Sequence, residues 1–372
     1  MKSRLRVFPA APYWIGRFSN GPAWPDYMNA MSHLAVRNFA VGGASVAGKA
    51  TIPKTTISQR IHDGGQFFIS GTTEQQINLF RNTFMTEPHL TRPEKTAFVV
   101  WGGANDYISK EPFSGAIETL LDRVEEPDGY PAVVDQVVRT LEGQLRSLEA
   151  LGATRILVGN LPDLGHTPIV LGNKTYGAEW GLSEEERRLK LSAGLTALTT
   201  HHNQQLSDLV DALQLEWSHV EIALFDANML LADVLDHATY PAFNLDEGAK
   251  FDVAAQSQEL THGDNDSPQR FQQRCYRGGY LGESDPSFVC ENSQRAIFWD
   301  VVHPTTYTHC WVAYGMHRQM HELGWTRPTP AIKEVGDWCS GIADVVSGHE
   351  ELRVLRYDRK DEVMAPNESG QP

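Results

Sequence analysis

The sequence has no long apolar run, no basic tract and no apolar segment near its start, and each absence excludes a class of protein. No apolar stretch reaches the roughly 18 residues that a membrane-spanning helix needs. There are 32 basic against 47 acidic residues, so the formal net charge is −15, and this sign disfavours binding to a nucleic-acid backbone. The basic first residues lead into no apolar core and are not expected to form a signal peptide.

Cysteine is also scarce, and the cysteine spacings match no zinc-binding pattern. The four residues are Cys275, Cys290, Cys310 and Cys339. Cys275 and Cys290 flank a glycine-rich segment that a disulfide would close in an oxidising compartment, whereas both thiols stay free in a reducing one. Cys310 lies in an apolar helical pattern and is predicted to be a small core residue. We expect no metal and no cofactor.

Short apolar segments alternate with amphipathic ones along most of the chain. Strands are predicted at residues 34–41, 96–101, 155–158 and 221–225, and helices at 73–84, 130–151, 183–213 and 229–235. Four repeats of strand, loop and helix are typical of an α/β fold with a doubly wound parallel sheet and helices on both faces. Ligands bind such sheets at the carboxyl ends of the strands, which here carry Gly43, Asn105 and residues 160–165.

One tetrapeptide, Asp300-Val301-Val302-His303, contains the two residue types of an oriented base. Pro304 keeps it out of the interior of a helix, and a helix is predicted to follow at residues 306–323. A carboxylate this close can accept the proton of one imidazole nitrogen, which fixes the tautomer and leaves the other nitrogen free to act as a base. The same spacing also occurs by coincidence on protein surfaces, so the motif alone identifies nothing.

The domain organisation follows from where this pattern holds. Residues 1–327 are predicted to form one domain, interrupted by a polar, glycine- and glutamine-rich excursion over the surface at about residues 243–295. Residues 328–372 are rich in proline and charge, and this tail is predicted to be peripheral or partly disordered.

Five blocks, taken together and in order, resemble the GDSL or SGNH ester hydrolases. They are residues 13–24 (YWIGRFSNGPAW), 38–44 (NFAVGGA), 101–107 (WGGANDY), 160–168 (NLPDLGHTP) and 298–306 (FWDVVHPTT). The resemblance covers roughly residues 12–325 and is greatest to the bacterial branch of lipases, phospholipases A and lysophospholipases. It implies a flavodoxin-like three-layer sandwich, a small-molecule or lipid ester as substrate, and no cofactor. Relatives of this branch suggest a secreted protein, and the oligomeric state stays open.

The resemblance also implies roles for four residues of this chain. Gly43 and Asn105 match the oxyanion-hole donors, His303 matches the catalytic base, and Asp300 matches the carboxylate that orients it. Two donors aimed at a tetrahedral intermediate each lower the barrier by about 2.7–4 kcal/mol.

The nucleophile of this family, the serine of a Gly-Asp-Ser motif at the end of the first strand, has no match in the sequence. Gly282-Glu283-Ser284 lies at the wrong place in the order, and the family puts no nucleophile at Ser19 or Ser45. Three interpretations remain: a truncated, inactive form of an ester hydrolase whose sheet lacks its first strand, a pseudoenzyme that binds an acyl ligand, or an enzyme in which another serine has taken over. An acyltransferase of the same family is the alternative chemistry.

Overall fold

The computed structural model of the protein describes residues 9–14, 16–32, 34–47, 72–86, 92–108, 129–170, 181–236, 274–276, 278–280, 289–290 and 293–347. The chain divides into two compact units. The first unit comprises Met1–Asn38, Thr167–Gly172 and Met229–Pro372, and the second comprises Phe39–His166 and Asn173–Asn228.

The described helices and strands alternate through the middle of the chain. In chain order they are α1 (Trp24–Ser32), α2 (Thr73–Thr86), β1 (Ala97–Trp101), α3 (Ala104–Tyr107), α4 (Gly129–Ala150), β2 (Arg155–Gly159), α5 (Glu184–Glu216), β3 (Glu221–Phe225), α6 (Ala227–Asp236), α7 (Thr306–Glu322) and α8 (Ile332–Ser347). Short 3-10 turns lie at Pro93–Lys95, Leu164–His166, Pro168–Val170 and Ser293–Arg295.

The second unit is built on a parallel sheet in the order β1-β2-β3. Val99 pairs with Leu157, and Leu157 pairs with Ala223, so the three strands end at the same edge. Four of the five residues of β2 are buried, as expected for a strand with a neighbour on each side. Immediately after β1, the chain turns into the short helix α3, which carries Asn105.

Two long helices supply much of the apolar core of this unit. The buried face of α4 repeats at helical spacing and consists of Val134, Val137, Leu141, Leu145 and Leu148. Helix α5 begins with a capping box, in which the Ser183 side chain accepts from the backbone N–H of Glu186 and the Glu186 side chain accepts from that of Ser183. The predicted start of this helix is therefore confirmed in detail.

The first unit is helical in its described part, and a disulfide joins two of its helices. Helix α7 packs against α1 and α8, and Cys310 of α7 is bonded to Cys339 of α8. A second disulfide links Cys275 to Cys290, which the sequence left open. Cys310 is buried in the core as predicted, and it also forms this crosslink, which was not predicted.

The α/β class with a parallel sheet is confirmed, but the predicted first strand is wrong. Residues 34–40 are irregular, and Leu34 and Val41 are 42% and 45% exposed. The described sheet contains β1, β2 and β3 only. Apolar composition favours a strand only where a partner strand and a covering layer bury it, and residues 34–41 are not buried in this way.

Two peripheral segments also differ from the prediction. Within the predicted surface excursion at 243–295, Cys275 and Tyr276 are 1% and 0% exposed, while most of that segment lies outside the described residues. Within residues 328–372, α8 buries Val335, Cys339 and Ile342. No helix in the described part of the chain combines the length and the apolar composition needed to cross a bilayer.

Candidate active site

Asp300 and His303 form a close pair in the first unit. Oδ2 and Oδ1 of Asp300 lie 2.8 and 2.9 Å from Nδ1 of His303. The carboxylate is 3% exposed, whereas the His303 side chain is 30% exposed. Because Asp300 engages Nδ1, the tautomer that carries its proton there presents Nε2 as the nitrogen that can accept a proton.

The backbone around this pair closes into a tight loop. Oδ1 of Asp300 accepts from the N–H groups of Val302 at 3.0 Å and His303 at 2.8 Å, and the carbonyl of His303 accepts from Trp299 N–H at 2.8 Å. Helix α7 begins directly afterwards, and its N-cap Thr305 accepts from the backbone N–H of Thr308. His303 therefore lies just before the N-terminus of the buried helix α7.

The electrostatics of the loop keep Asp300 ionised. Burial acts to raise the pKa of Asp300, but the adjacent His303 and the two backbone donors outweigh it, so the pKa lies below its usual value. The hydroxyl of Tyr13 donates to Oδ2 of Asp300 at 2.7 Å. Burial and the Asp300 charge raise the pKa of Tyr13 well above its usual range, so Tyr13 keeps its proton and acts as a donor.

Aromatic rings surround the imidazole of His303. The ring of Phe18 stacks on it at a centroid distance of 4.9 Å and an interplanar angle of 22°, and Tyr280 meets it edge-on at 6.1 Å. These contacts fix the plane of a side chain that would otherwise rotate about two bonds.

Gly43 and Asn105 come together in the second unit. The side-chain amide of Asn105 donates to the carbonyl of Ala44 at 3.0 Å. Gly43 has φ +89°, a left-handed conformation that glycine adopts without strain. An amide NH₂ carries two hydrogens, so the contact with Ala44 leaves the second N–H of Asn105 for another acceptor.

Asp106 ties the Gly43 segment to the loop that follows β1. Its Oδ2 accepts from Val46 N–H at 2.7 Å and its Oδ1 from Ala47 N–H at 2.9 Å. Asp106 is 3% exposed, so these charge-assisted bonds lie out of water, where they are strong. The two candidate oxyanion donors are thus joined by neighbouring side chains of one short helix.

The next residue of α3 is anchored in the core. The Tyr107 hydroxyl lies 2.8 Å from Nδ1 of His202, and both residues are 0% exposed. Burial, and to a smaller extent His201, lower the pKa of His202 to about 4, so this imidazole is neutral in the folded protein at neutral pH. Its role in the described structure is to hold α3.

The family model for the GDSL-like lipase/acylhydrolase matches residues 10–316. The chain belongs to this family. It is 23% identical to the phosphatidylcholine-sterol acyltransferase of Aeromonas hydrophila over 83% of this chain and 82% of the relative. It is 25% identical to a GDSL esterase/lipase of Arabidopsis thaliana over 80% and 74%, and 22% identical to the thermolabile hemolysin of Vibrio parahaemolyticus over 85% and 59%.

Two candidate serines of this GDSL family member are buried. Ser19 is 0% exposed, and its hydroxyl donates to the carbonyl of Pro304 at 2.9 Å. Ser45 is 5% exposed, and its backbone forms an isolated parallel bridge with Thr72. Neither has the exposed hydroxyl that an attacking serine needs. Ser284 lies outside the described residues.

Two residues that shape the site were not singled out from the sequence. Tyr13 belongs to the first of the five blocks, but it lies 287 residues before Asp300, and no local spacing points to that contact. Asp106 follows Asn105 directly, and its sequence signal is a carboxylate in the loop at the carboxyl end of a predicted strand. A buried charge of that kind requires donors, which is the clue that identifies it.

Proposed function

We propose that the protein performs acyl transfer from carboxylic esters, with His303 as the base and Asp300 as the carboxylate that orients it. Gly43 and Asn105 are proposed to donate to the developing oxyanion. The observation that carries the proposal is the buried Asp300 carboxylate 2.8 Å from Nδ1 of His303. Family membership supports the same chemistry at the level of an ester hydrolase or acyltransferase.

Each half of the proposed reaction has two proton transfers, and both go through Nε2 of His303. As a serine hydroxyl attacks the ester carbonyl, Nε2 of His303 takes the serine proton, and Asp300 stabilises the imidazolium. The tetrahedral oxyanion accepts bonds from the Gly43 N–H and the Asn105 amide. When it collapses, His303 returns the proton to the leaving alcohol and an acyl-serine remains. Water or a second alcohol then attacks the acyl group by the reverse path, which restores the serine.

The attacking serine is proposed to lie on a further strand that pairs with β1. All five residues of the apolar strand β1 are half-buried, whereas β2 is almost fully buried. Within the described sheet, β1 has a partner on one side only. An apolar strand with an open edge favours pairing with another strand. Without that strand, the 372-residue chain is proposed to be an inactive form.

The substrate is proposed to be a lipid or another acyl ester. The names of the relatives include an acyltransferase, esterase/lipases and a hemolysin, and the site residues are compatible with either water or an alcohol as acceptor. The two disulfides favour an oxidising compartment, as the resemblance to secreted enzymes also suggests. A pseudoenzyme that binds an acyl ligand is the second candidate, because the sequence contains no Gly-Asp-Ser.

The first experiment asks whether the 372-residue chain contains an activated serine. The chain is incubated with a fluorophosphonate probe and, separately, with an activated short-chain ester. We expect no labelled serine and no burst of product. Labelling of Ser19 or Ser45 would contradict the proposal, and an unfolding midpoint that shifts with added fatty acid would favour the pseudoenzyme.

The second experiment supplies the nucleophile. The chain is joined at its N-terminus to a strand that ends in Gly-Asp-Ser, and ester turnover is measured. His303→Ala should then lower turnover by about 10³-fold or more, because the base acts in both halves of the reaction. His219→Ala, which changes an exposed histidine paired with Glu149, is the control. Turnover that survives His303→Ala would refute the assignment of the base.

A further inference from the structure

The segment at residues 13–21, which we name the N-terminal segment, contacts the loop at residues 300–306, which we name the base loop. Both lie in the first unit. The contacts run in the same order along both segments, from Tyr13 with Asp300 to Phe18 with His303, Ser19 with Pro304 and Asn20 with Thr306. Partners that are more than 280 residues apart in sequence therefore meet one after another.

The first contact saturates the Asp300 carboxylate. An ionised carboxylate has about four acceptor sites, and Asp300 has four donors: the N–H groups of Val302 and His303, the Nδ1 of His303, and the Tyr13 hydroxyl. Of these, Tyr13 alone comes from outside the base loop. Oδ1, at 2.9 Å from Nδ1, is held by the two backbone N–H groups, whereas Oδ2, at 2.8 Å, is held by Tyr13. Tyr13 therefore holds the second oxygen towards His303.

The position of Tyr13 is itself fixed by aromatic packing. Its ring lies 5.3 Å from that of Tyr276 and 6.1 Å from that of Trp299, both nearly perpendicular. Tyr13, Tyr276 and Trp299 belong to one buried cluster. Edge-to-face pairs of this kind favour one ring orientation, so the hydroxyl has little freedom to leave Asp300.

The remaining contacts hold the imidazole and the end of the loop. Phe18 covers one face of the His303 ring. Oδ1 of Asn20 accepts from Thr306 N–H at 2.8 Å, which satisfies a donor in the first turn of α7. Gly21 lies so close that a Cβ there would be 2.5 Å from Oγ1 of Thr306, and only glycine permits this approach.

The N-terminal segment is also rigid in its own right. Its backbone closes on itself through Trp14 N–H to the Ser19 carbonyl at 2.9 Å. Arg17 makes two bonds to Asp26 of α1, at 2.8 and 2.7 Å, and planar two-point pairing of this kind fixes geometry as well as charge. Because the N-terminal segment is itself held by α1, it can fix the position of the base loop that it contacts.

We propose that the N-terminal segment positions the catalytic base, and that Tyr13 is the positioning residue that orients Asp300 towards Nδ1 of His303. The inference rests on the proposed function only in the role it assigns to His303. The YWIGRFSNG block would then serve to position the base, a role that its sequence alone does not indicate. Tyr13 contacts no reacting atom and acts through Asp300.

The test observes the imidazole directly and needs no turnover. The ¹⁵N-labelled full chain is examined by NMR in mildly alkaline buffer, and the side-chain signals of His303 are assigned by their loss in His303→Gln. We expect Nδ1 to be protonated, with its proton strongly downfield through the bond to Asp300. In Tyr13→Phe, which keeps the ring, that proton should move upfield or be lost to exchange, and the other tautomer should become populated.

Tyr276→Phe is the matched control, because it removes a buried hydroxyl of the same cluster that bonds the carbonyl of Gly279 and not Asp300. Its His303 signals should match those of the parent.

If Tyr13→Phe does not unfold cooperatively, Phe18→Leu replaces it and should broaden the His303 signals by freeing the ring. Parent-like His303 signals in either folded variant overturn the positioning role. They leave the proposed function untouched, because that is tested separately by serine labelling and by the turnover of His303→Ala.

Discussion

The two candidate pairs of functional residues, one in each unit, are held in different ways. Asp300 and His303 are three residues apart, yet the loop that carries them is held by contacts from residues 13–21, far away in sequence. Gly43 and Asn105 are distant in sequence, yet side chains at positions 105 and 106 bond directly to the segment after Gly43. A short motif can therefore depend on support from other segments, whereas a pair that is distant in sequence can be held by bonds from its own residues and their immediate neighbours.

The two units that contain these pairs also differ in what stabilises them. Both disulfides of the described chain lie in the first unit, whereas the second unit is held by its parallel sheet and by helices α4 and α5. We expect the base side to depend on covalent crosslinks and the oxyanion side on hydrogen bonds and apolar burial. Three changes test this difference, from the largest expected effect to the smallest.

The largest effect is expected from loss of the crosslink between α7 and α8. Replacing both Cys310 and Cys339 by alanine opens a loop of 29 residues, which should lower the free energy of unfolding by roughly 3–4 kcal/mol. Urea unfolding measures the loss. Hydrogen exchange should show lost protection in α7 and retained protection in β2.

The matched control replaces Cys275 and Cys290, whose separation is 15 residues, and should cost about 3 kcal/mol. An unchanged urea midpoint in the first double variant would refute the covalent contribution. Equal loss of protection in β2 and α7 would show that the units unfold together, and would remove the difference between them.

The sequence predicted the elements that have a strong local signal and missed those that depend on packing between elements. The helix α4 and the strands β2 and β3 were predicted because their apolar period or apolar run is local and strong. Residues 34–41 have the same composition as a strand, but composition does not report whether a partner strand is present. The Cys310–Cys339 bond and α8 were missed, because pairing of cysteines on two helices depends on how those helices pack.

The site shows the same limit at the level of single residues. Asp300 and His303 could be proposed as a pair because both stand in one tetrapeptide that belongs to the five-block resemblance. The Tyr13 contact with Asp300 spans 287 residues and has no periodic or spacing signal. His202 is fully buried against Tyr107. The sequence does not indicate this burial, since the face of a long helix that packs inward depends on the neighbouring elements.

The second effect is a pH dependence that originates in the second unit. The pKa of His202 is lowered from 6.5 to about 4 by burial, so the folded state resists protonation that the unfolded state accepts. Above pH 6.5, His202 is neutral in both states and contributes no pH dependence. As the pH falls from about 6.5 to 4, the free energy of unfolding should decrease by about 3 kcal/mol from this group alone.

Urea unfolding at a series of pH values measures this slope. His202→Asn should remove about 3 kcal/mol of the loss between pH 6.5 and 4, whatever its effect on stability at neutral pH. A slope should remain, because burial also lowers the pKa of His309, in the first unit, to about 3. His201→Asn, on the adjacent half-buried residue, should keep the slope of the parent. A parent-like slope in His202→Asn would show that other groups cause the acid sensitivity, and that the core anchor of α3 does not titrate as proposed.

The smallest of the three effects tests the bonds that join Gly43 to Asn105. In Asp106→Asn, an amide NH₂ replaces one carboxylate oxygen. The remaining oxygen can still accept from one of the two N–H groups, of Val46 and Ala47, but the NH₂ cannot accept from the other. Loss of a buried charge-assisted bond should cost about 2 kcal/mol, and amide exchange at positions 46 and 47 should accelerate more than exchange in β2.

Asp26→Asn is the control, because Asp26 also accepts a backbone N–H, that of Ala23, but in the first unit. If Asp26→Asn accelerates exchange at positions 46 and 47 as much as Asp106→Asn does, the direct bonds of Asp106 do not hold the oxyanion side, and the contrast with the base side fails.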